Sequence, residues 1–192
     1  MGNKKISAIV IGTSAGGLEA LTILLKPLPE GYAPPILLVQ HRAREAGDLF
    51  EEVLQRRIRL KVKQADEKEV IEAGRVYVAP PDYHLLVEGD GTLSLSCEAP
   101  VHFSRPAIDV LFESAAFTFG EALAAIVLTG SNDDGAEGIV AVKRMGGMTI
   151  VQDPIEAQYP FMPRAAIATG AVDYVWTLAK MGEFLRGMTN DE

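Results

Sequence analysis

The sequence predicts an α/β fold: a doubly wound, mostly parallel sheet with helices on both faces, interrupted by one antiparallel β-hairpin. Three features carry this expectation. Short, nearly continuous apolar runs at residues 6–11, 36–40 and 123–128 read as strands buried on both faces, the habit of a parallel sheet. Segments with apolar residues at helical spacing lie between such runs. Gly89-Asp90-Gly91 separates residues 84–87 from residues 92–95, a hairpin signal.

Taken in order, the strand at 6–11 ends at Gly12, and from Gly17 the spacing becomes helical, with Leu18, Leu21, Leu24 and Leu25 on one side. Pro27 and Pro29 stop that helix. The strand at 36–40 completes a β-α-β unit with the expected right-handed crossover. A helix over 47–57, strands at 60–63 and 75–79 and the hairpin follow. Pro106 marks the start of a helix whose apolar face is Ile108, Leu111, Phe112, Ala115 and Ala116. A strand at 123–128, a helix at 136–145, strands at 148–151 and 172–176 and a terminal helix close the chain. With no repeat or linker in view, residues 1–192 are expected to form a single domain.

Composition narrows the function classes. The apolar runs stop far short of the roughly 20 residues that span a bilayer, and no secretory or myristoylation signal opens the chain, so a soluble cytoplasmic protein without membrane insertion is expected. Cys97 is the single cysteine, which excludes an internal disulfide. The net charge of -8 argues against nucleic acid as a partner, since that needs a clustered basic face. The one basic cluster, Arg56-Arg57-Ile58-Arg59-Leu60-Lys61, reads as a solvated helix end running into a strand.

Ligands of such sheets bind beyond the carboxyl ends of the strands. Three strand ends there offer chemistry: Gly12-Thr13-Ser14-Ala15-Gly16-Gly17, Gln40-His41, and Thr129-Gly130-Ser131-Asn132-Asp133-Asp134-Gly135. A serine hydroxyl needs a base to take its proton, and the base needs a carboxylate to hold its tautomer. The serine also lies at a strand-to-helix turn, where unpaired N–H groups can meet an oxyanion. Alternatives stay open. The glycine-rich loop resembles a dinucleotide cradle, although Ser14 replaces its second glycine and no acidic residue ends the second strand. It also matches the G-x-S-x-G elbow of α/β-hydrolases, in a different chain order. Asp133 or Asp134 can serve as a plain cap for the helix at 136. His84 and His102 lack strand-end placement, and no two histidines have ligand spacing, so no metal site is expected.

Six segments in order resemble the catalytic domain of the chemotaxis protein-glutamate methylesterase family, CheB. They are Ile11-Gly12-Thr13-Ser14-Ala15-Gly16-Gly17, Gln40-His41, Val78-Ala79-Pro80-Pro81-Asp82-Tyr83-His84, Ser104-Arg105-Pro106-Ala107-Ile108-Asp109-Val110-Leu111-Phe112, Leu128-Thr129-Gly130-Ser131-Asn132-Asp133-Asp134-Gly135, and Met162-Pro163-Arg164-Ala165. The resemblance implies Ser14 as nucleophile, His41 as general base and Asp134 as its orienting carboxylate. It implies an oxyanion hole from the backbone at Ala15 and Ser131, with Thr13, Arg105 and Arg164 in supporting or substrate-binding places. Ser131-Asn132 stands where the family usually has methionine-glycine. The implied reaction is cofactor-free hydrolysis of glutamate γ-methyl esters on the cytoplasmic helical bundle of methyl-accepting chemotaxis receptors. Glutamine deamidation on the same receptors is the alternative, and a non-catalytic nucleotide-binding or scaffold module is the other. Full-length members of the family usually carry an N-terminal receiver domain, and since this chain opens at the catalytic strand the resemblance leaves three readings open: a stand-alone enzyme, one whose receiver domain has been removed, or one served by a receiver domain on another protein.

Overall fold

The computed structural model describes residues 5–42 and 49–188. Each residue of β1 (Ala8–Thr13) is buried, and the two-residue period of a strand sends its side chains to opposite faces. Ala8 and Val10 join one apolar cluster, whereas Ile9 and Ile11 join another. The continuous apolar run is thus the mark of a strand covered twice.

Six further strands join it: β2 (Ile36–Gln40), β3 (Lys61–Gln64), β4 (Arg75–Val78), β7 (Leu123–Val127), β8 (Met148–Gln152) and β9 (Tyr174–Trp176). With β1 they form a seven-stranded sheet in the order β3-β4-β2-β1-β7-β8-β9, and each adjacent pair is parallel. α1 (Gly17–Leu25), α2 (Leu49–Arg57) and α6 (Leu178–Gly187) pack on one face through residues such as Leu21, Leu54 and Met181. α3 (Ile108–Phe119), α4 (Ala136–Arg144) and α5 (Phe161–Ala168) cover the other through Leu111, Ile139 and Met162. The separate antiparallel pair β5 (His84–Val87) and β6 (Leu93–Ser96) joins that second face through Leu85, Val87 and Leu93. The fold expected from the sequence is the fold observed.

Local departures have local causes. α3 begins at Ile108 rather than at Pro106, because Ala107 is still extended, with φ -109° and ψ 141°. The expected helix at 47–57 is α2, and its residues 47 and 48 lie outside the described residues. α5 was not anticipated, since Pro163 argues against a helix; it sits in the first turn, where its missing N–H would have had no intrahelical partner. Close packing joins α3 to α4: a Cβ on Gly138 would lie 2.6 Å from that of the fully buried Phe112. Among the described residues no helix is long and apolar enough to cross a membrane.

Candidate active site

Register brings the strand ends together. Thr13 pairs with Gln40 across β1 and β2, and Gly12 pairs with Val127 across β1 and β7. Ser14 and His41 are therefore the next residues out on neighbouring strands, with the 129–135 loop following the strand on the other side. This is the point at which the chain order of the sheet reverses, the usual place for a site in a doubly wound fold.

Backbone bonds fix that edge. The Ser14 N–H and the Thr13 hydroxyl both donate to the Thr129 carbonyl at 3.0 Å, and the His41 N–H donates to the Thr13 carbonyl at 3.0 Å. Gln40 Nε2 then donates to the carbonyls of both Ser14 and His41, each at 2.8 Å. A Cβ on Gly17 would fall 2.1 Å from Gln40 Oε1, so Gly17 is what lets α1 start against this lock. Gly16 takes a left-handed φ of 79° as its N-cap. Close packing thus accounts for the two glycines without a phosphate.

His41 Nε2 lies 2.7 Å from Asp134 Oδ2. That carboxylate is wholly buried and also accepts the first N–H groups of α3, from Ile108 at 2.7 Å and from Asp109 at 2.9 Å. Burial alone would raise its pKa, but the His41 bond and the two backbone donors outweigh it and hold Asp134 below the usual carboxylate value. An ionised Asp134 keeps the imidazole proton on Nε2 and leaves Nδ1 as the ring nitrogen with an accepting lone pair. Asn132 Nδ2 sits 3.4 Å from Nδ1, and no hydrogen bond joins Ser14 Oγ to His41 among the described residues.

The alternative that Asp133 or Asp134 caps α4 is not met: the N-cap makes no side-chain capping bond. Gly135 is the N-cap, at φ 101°, and the cap oxygen comes from α3: Asp109 Oδ1 accepts from Gly135 N at 2.9 Å and from Gly138 N at 2.6 Å. Asp134 is turned to His41 instead. Burial raises the Asp109 carboxyl to about 7 against the Gly138 donor, with the Asp134 charge adding to the rise.

The remaining expected residues fall in different settings. The N–H groups of Ala15 and Ser131 donate to no protein acceptor among the described residues, although the neighbouring Ser14, Gly17 and Gly130 N–H groups are all bonded. Arg105 is engaged inside the fold, with Nη2 2.6 Å from Asp82 Oδ1 and Nη1 2.9 Å from the carbonyls of both Cys97 and Glu98. Arg164 is exposed on α5. His84 is buried and structural, since its Nδ1 accepts from Ala107 N and its Nε2 meets the Ala99 carbonyl, both at 3.1 Å.

Sequence reasoning missed the locking role of Gln40, the position of Asn132, and a buried pair in which Arg42 Nη1 donates to Glu51 Oε2 at 2.8 Å. Arg42 and Phe50 help to line a cavity of about 550 Å³ that opens beside Ser14, Gly17, Leu18 and Gln40. The Arg42-Glu51 spacing carried no signal; Gln40 was visible as a strand end without a role.

Comparison with known proteins places this geometry. The family model for CheB methylesterase matches residues 9–185. A Leptospira interrogans protein given the provisional name protein-glutamate methylesterase/protein-glutamine glutaminase is 49% identical over 181 residues, covering 93% of each chain. A Pyrococcus horikoshii protein with that name is 40% identical over 92% of this chain but only 49% of its own length. The crystal structure of the Thermotoga maritima CheB methylesterase catalytic domain superposes with a TM-score of 0.90 at 32% identity, covering 96% of this chain and 99% of that one. With residues 9–185 matched by the family model and the fold shared with a CheB catalytic domain, the chain belongs to the CheB methylesterase family.

Proposed function

We propose that this chain is a serine hydrolase acting on glutamate γ-methyl esters of chemotaxis receptors, with Ser14, His41 and Asp134 as its triad. The observation that carries the proposal is the 2.7 Å bond between His41 Nε2 and the buried, ionised Asp134, one strand from Ser14.

The reaction follows from that arrangement. The Asn132 amide yields its place at Nδ1 to the Ser14 hydroxyl as substrate enters; loose hydrogen bonds of this kind tighten in the Michaelis complex. Ser14 Oγ attacks the γ-carbonyl while His41 Nδ1 takes its proton. The oxyanion is met by the unpaired N–H groups of Ala15 and Ser131, a type of donor each worth about 3–4 kcal/mol of barrier. His41 returns its proton to the methoxide as methanol leaves. A water, deprotonated by His41, then opens the acyl-enzyme and frees the glutamate. Thr13 and Arg105 hold the strand edge and the hairpin end in place, and exposed Arg164 faces an acidic receptor surface.

Glutamine deamidation is a second reading, supported by the paired activity in the relatives' names. The attack is the same and ammonia leaves. The substrate in both cases is a side chain on a cytoplasmic helical bundle. Methanol release from methylated receptor and ammonia release from its glutamine form, measured for wild type, Ser14→Ala and His41→Ala, test both readings. Loss of either release in both folded variants supports that activity. Undiminished release from Ser14→Ala removes the nucleophile assignment.

A further inference from the structure

A second cluster of chemistry lies on the α3–α4 face, built by side chains the proposed hydrolysis does not use. His102 is in the 101–104 turn, Asp109 in the first turn of α3 and Glu137 in the first turn of α4. One ligating atom of each lies within 4.8 Å of the other two. We propose that these three side chains bind a divalent transition-metal ion of the zinc type, tying the 101–104 turn to the first turns of both helices.

Asp109 supplies the main argument. It is 2% exposed, and its Oδ1 is taken by the Gly135 and Gly138 N–H groups. Its Oδ2 is buried and receives no hydrogen bond. A carboxylate oxygen in that state is costly unless a cation completes it. His102 Nε2 stands 3.4 Å from Asp109 Oδ2. Two ligands of a tetrahedral zinc, each about 2.0–2.1 Å from the metal, stand about 3.3 Å apart. The contact therefore fits the edge of a coordination shell.

The surroundings agree. Asp133 Oδ1 lies 3.5 Å from His102 Nδ1, the place of the carboxylate that stands behind a metal-bound imidazole and fixes its tautomer. Asp109, Asp133 and Glu137 set three carboxylates around one imidazole, an excess of negative charge. Nitrogen with carboxylate oxygens suits zinc and its first-row neighbours better than magnesium, which prefers an all-oxygen octahedron. Glu137 is exposed and free to swing its carboxylate inward, with solvent as the fourth ligand. The ligands come from three separate elements, which is why ligand spacing along the chain gave no sign of them.

Isothermal titration of the whole chain with zinc chloride, with magnesium chloride as the control, tests the site. One zinc ion binds per chain and raises the thermal midpoint, whereas magnesium does neither. His102→Gln and Glu137→Gln abolish zinc binding, and Asp133→Asn weakens it roughly tenfold. His41→Gln leaves it intact, which separates this site from zinc on the hydrolytic histidine. Glu137 is on the surface, so its variant keeps the test valid should His102→Gln fail to fold. Absence of saturable zinc binding by wild type, binding unchanged in folded Glu137→Gln, or binding lost in His41→Gln instead, overturns the proposal.

Discussion

His41 turns Nε2, not Nδ1, toward Asp134, at 2.7 Å. The nitrogen left with an accepting lone pair is therefore Nδ1, and the Asn132 amide stands 3.4 Å from it. Asp134 is held for this task by α3, whose first two N–H groups end on its two oxygens. The acid loop and the helix that orients it form one unit.

Asp134→Asn separates charge from shape. One amide oxygen still accepts from the start of α3, but the amide nitrogen now donates toward His41 Nε2 and drives the imidazole proton to Nδ1. Activity falls about 10⁴-fold, the scale seen when a triad aspartate becomes asparagine. Asp134→Ala also strands the Ile108 and Asp109 N–H groups and costs about 1–3 kcal/mol of stability. Methanol release and chemical denaturation of the two variants check this pair.

Gly17→Ala places a Cβ 2.1 Å from Gln40 Oε1 and 2.6 Å from Thr13 Oγ1. Gln40 must move, and with it the bonds that hold the Ser14 and His41 carbonyls. Overpacking of this kind costs about 1–3 kcal/mol. Gly17→Ala/Gln40→Ala recovers part of the lost stability but not the activity, because the lock is gone. A double-mutant cycle of unfolding free energies, alongside methanol release, measures both effects.

Asp173 ties β8 to the turn before β9, with Oδ2 accepting from Thr149 N at 3.0 Å and from Thr149 Oγ1 at 3.1 Å, beside Lys143. Partial burial would raise its pKa, but the Lys143 and Thr149 interactions outweigh that and lower it. A carboxylate with a depressed folded pKa stabilises fully above its unfolded value of about 3.9, and the contribution fades as pH falls through the lower folded value. Asp173→Asn is destabilised by about 1 kcal/mol at pH 7, and the gap to wild type narrows as the pH falls below the unfolded carboxylate value of about 3.9. Urea unfolding across that range reads it directly.

Nucleotides leave the thermal midpoint unchanged. A Cβ at Gly17 would meet Gln40 and Thr13, so close packing explains that glycine without a bound phosphate. A true ligand at a hundredfold its dissociation constant adds about 2.7 kcal/mol, so a shift of that size with ATP or NAD would restore the cradle reading of the loop.

The sheet was legible because burial on both faces leaves a continuous apolar run, as at Ile9 and Val10, and because glycine and proline punctuate its ends. The placement of Ser14 and His41 at neighbouring strand ends was legible for the same reason: each stands one residue past a buried strand. Asp109 as the cap of α4 was not, since the sequence displays a tempting Asp133-Asp134 beside that helix and the true cap crosses from another. Nor was α5, where a proline spoils the helical pattern at a position that tolerates it. Cross-element bonds between side chain and backbone, such as those of Gln40 and Asp109, have no local period to betray them.

Reaction with a fluorophosphonate, followed by intact mass and peptide mapping, tests the central claim most directly, because it requires only an activated serine. Wild type takes up one adduct, mapped to Ser14; His41→Ala reacts slowly and Ser14→Ala not at all. Labelling of Ser14→Ala at the wild-type rate, or an adduct on any other residue, would contradict the assignment of Ser14 as the nucleophile.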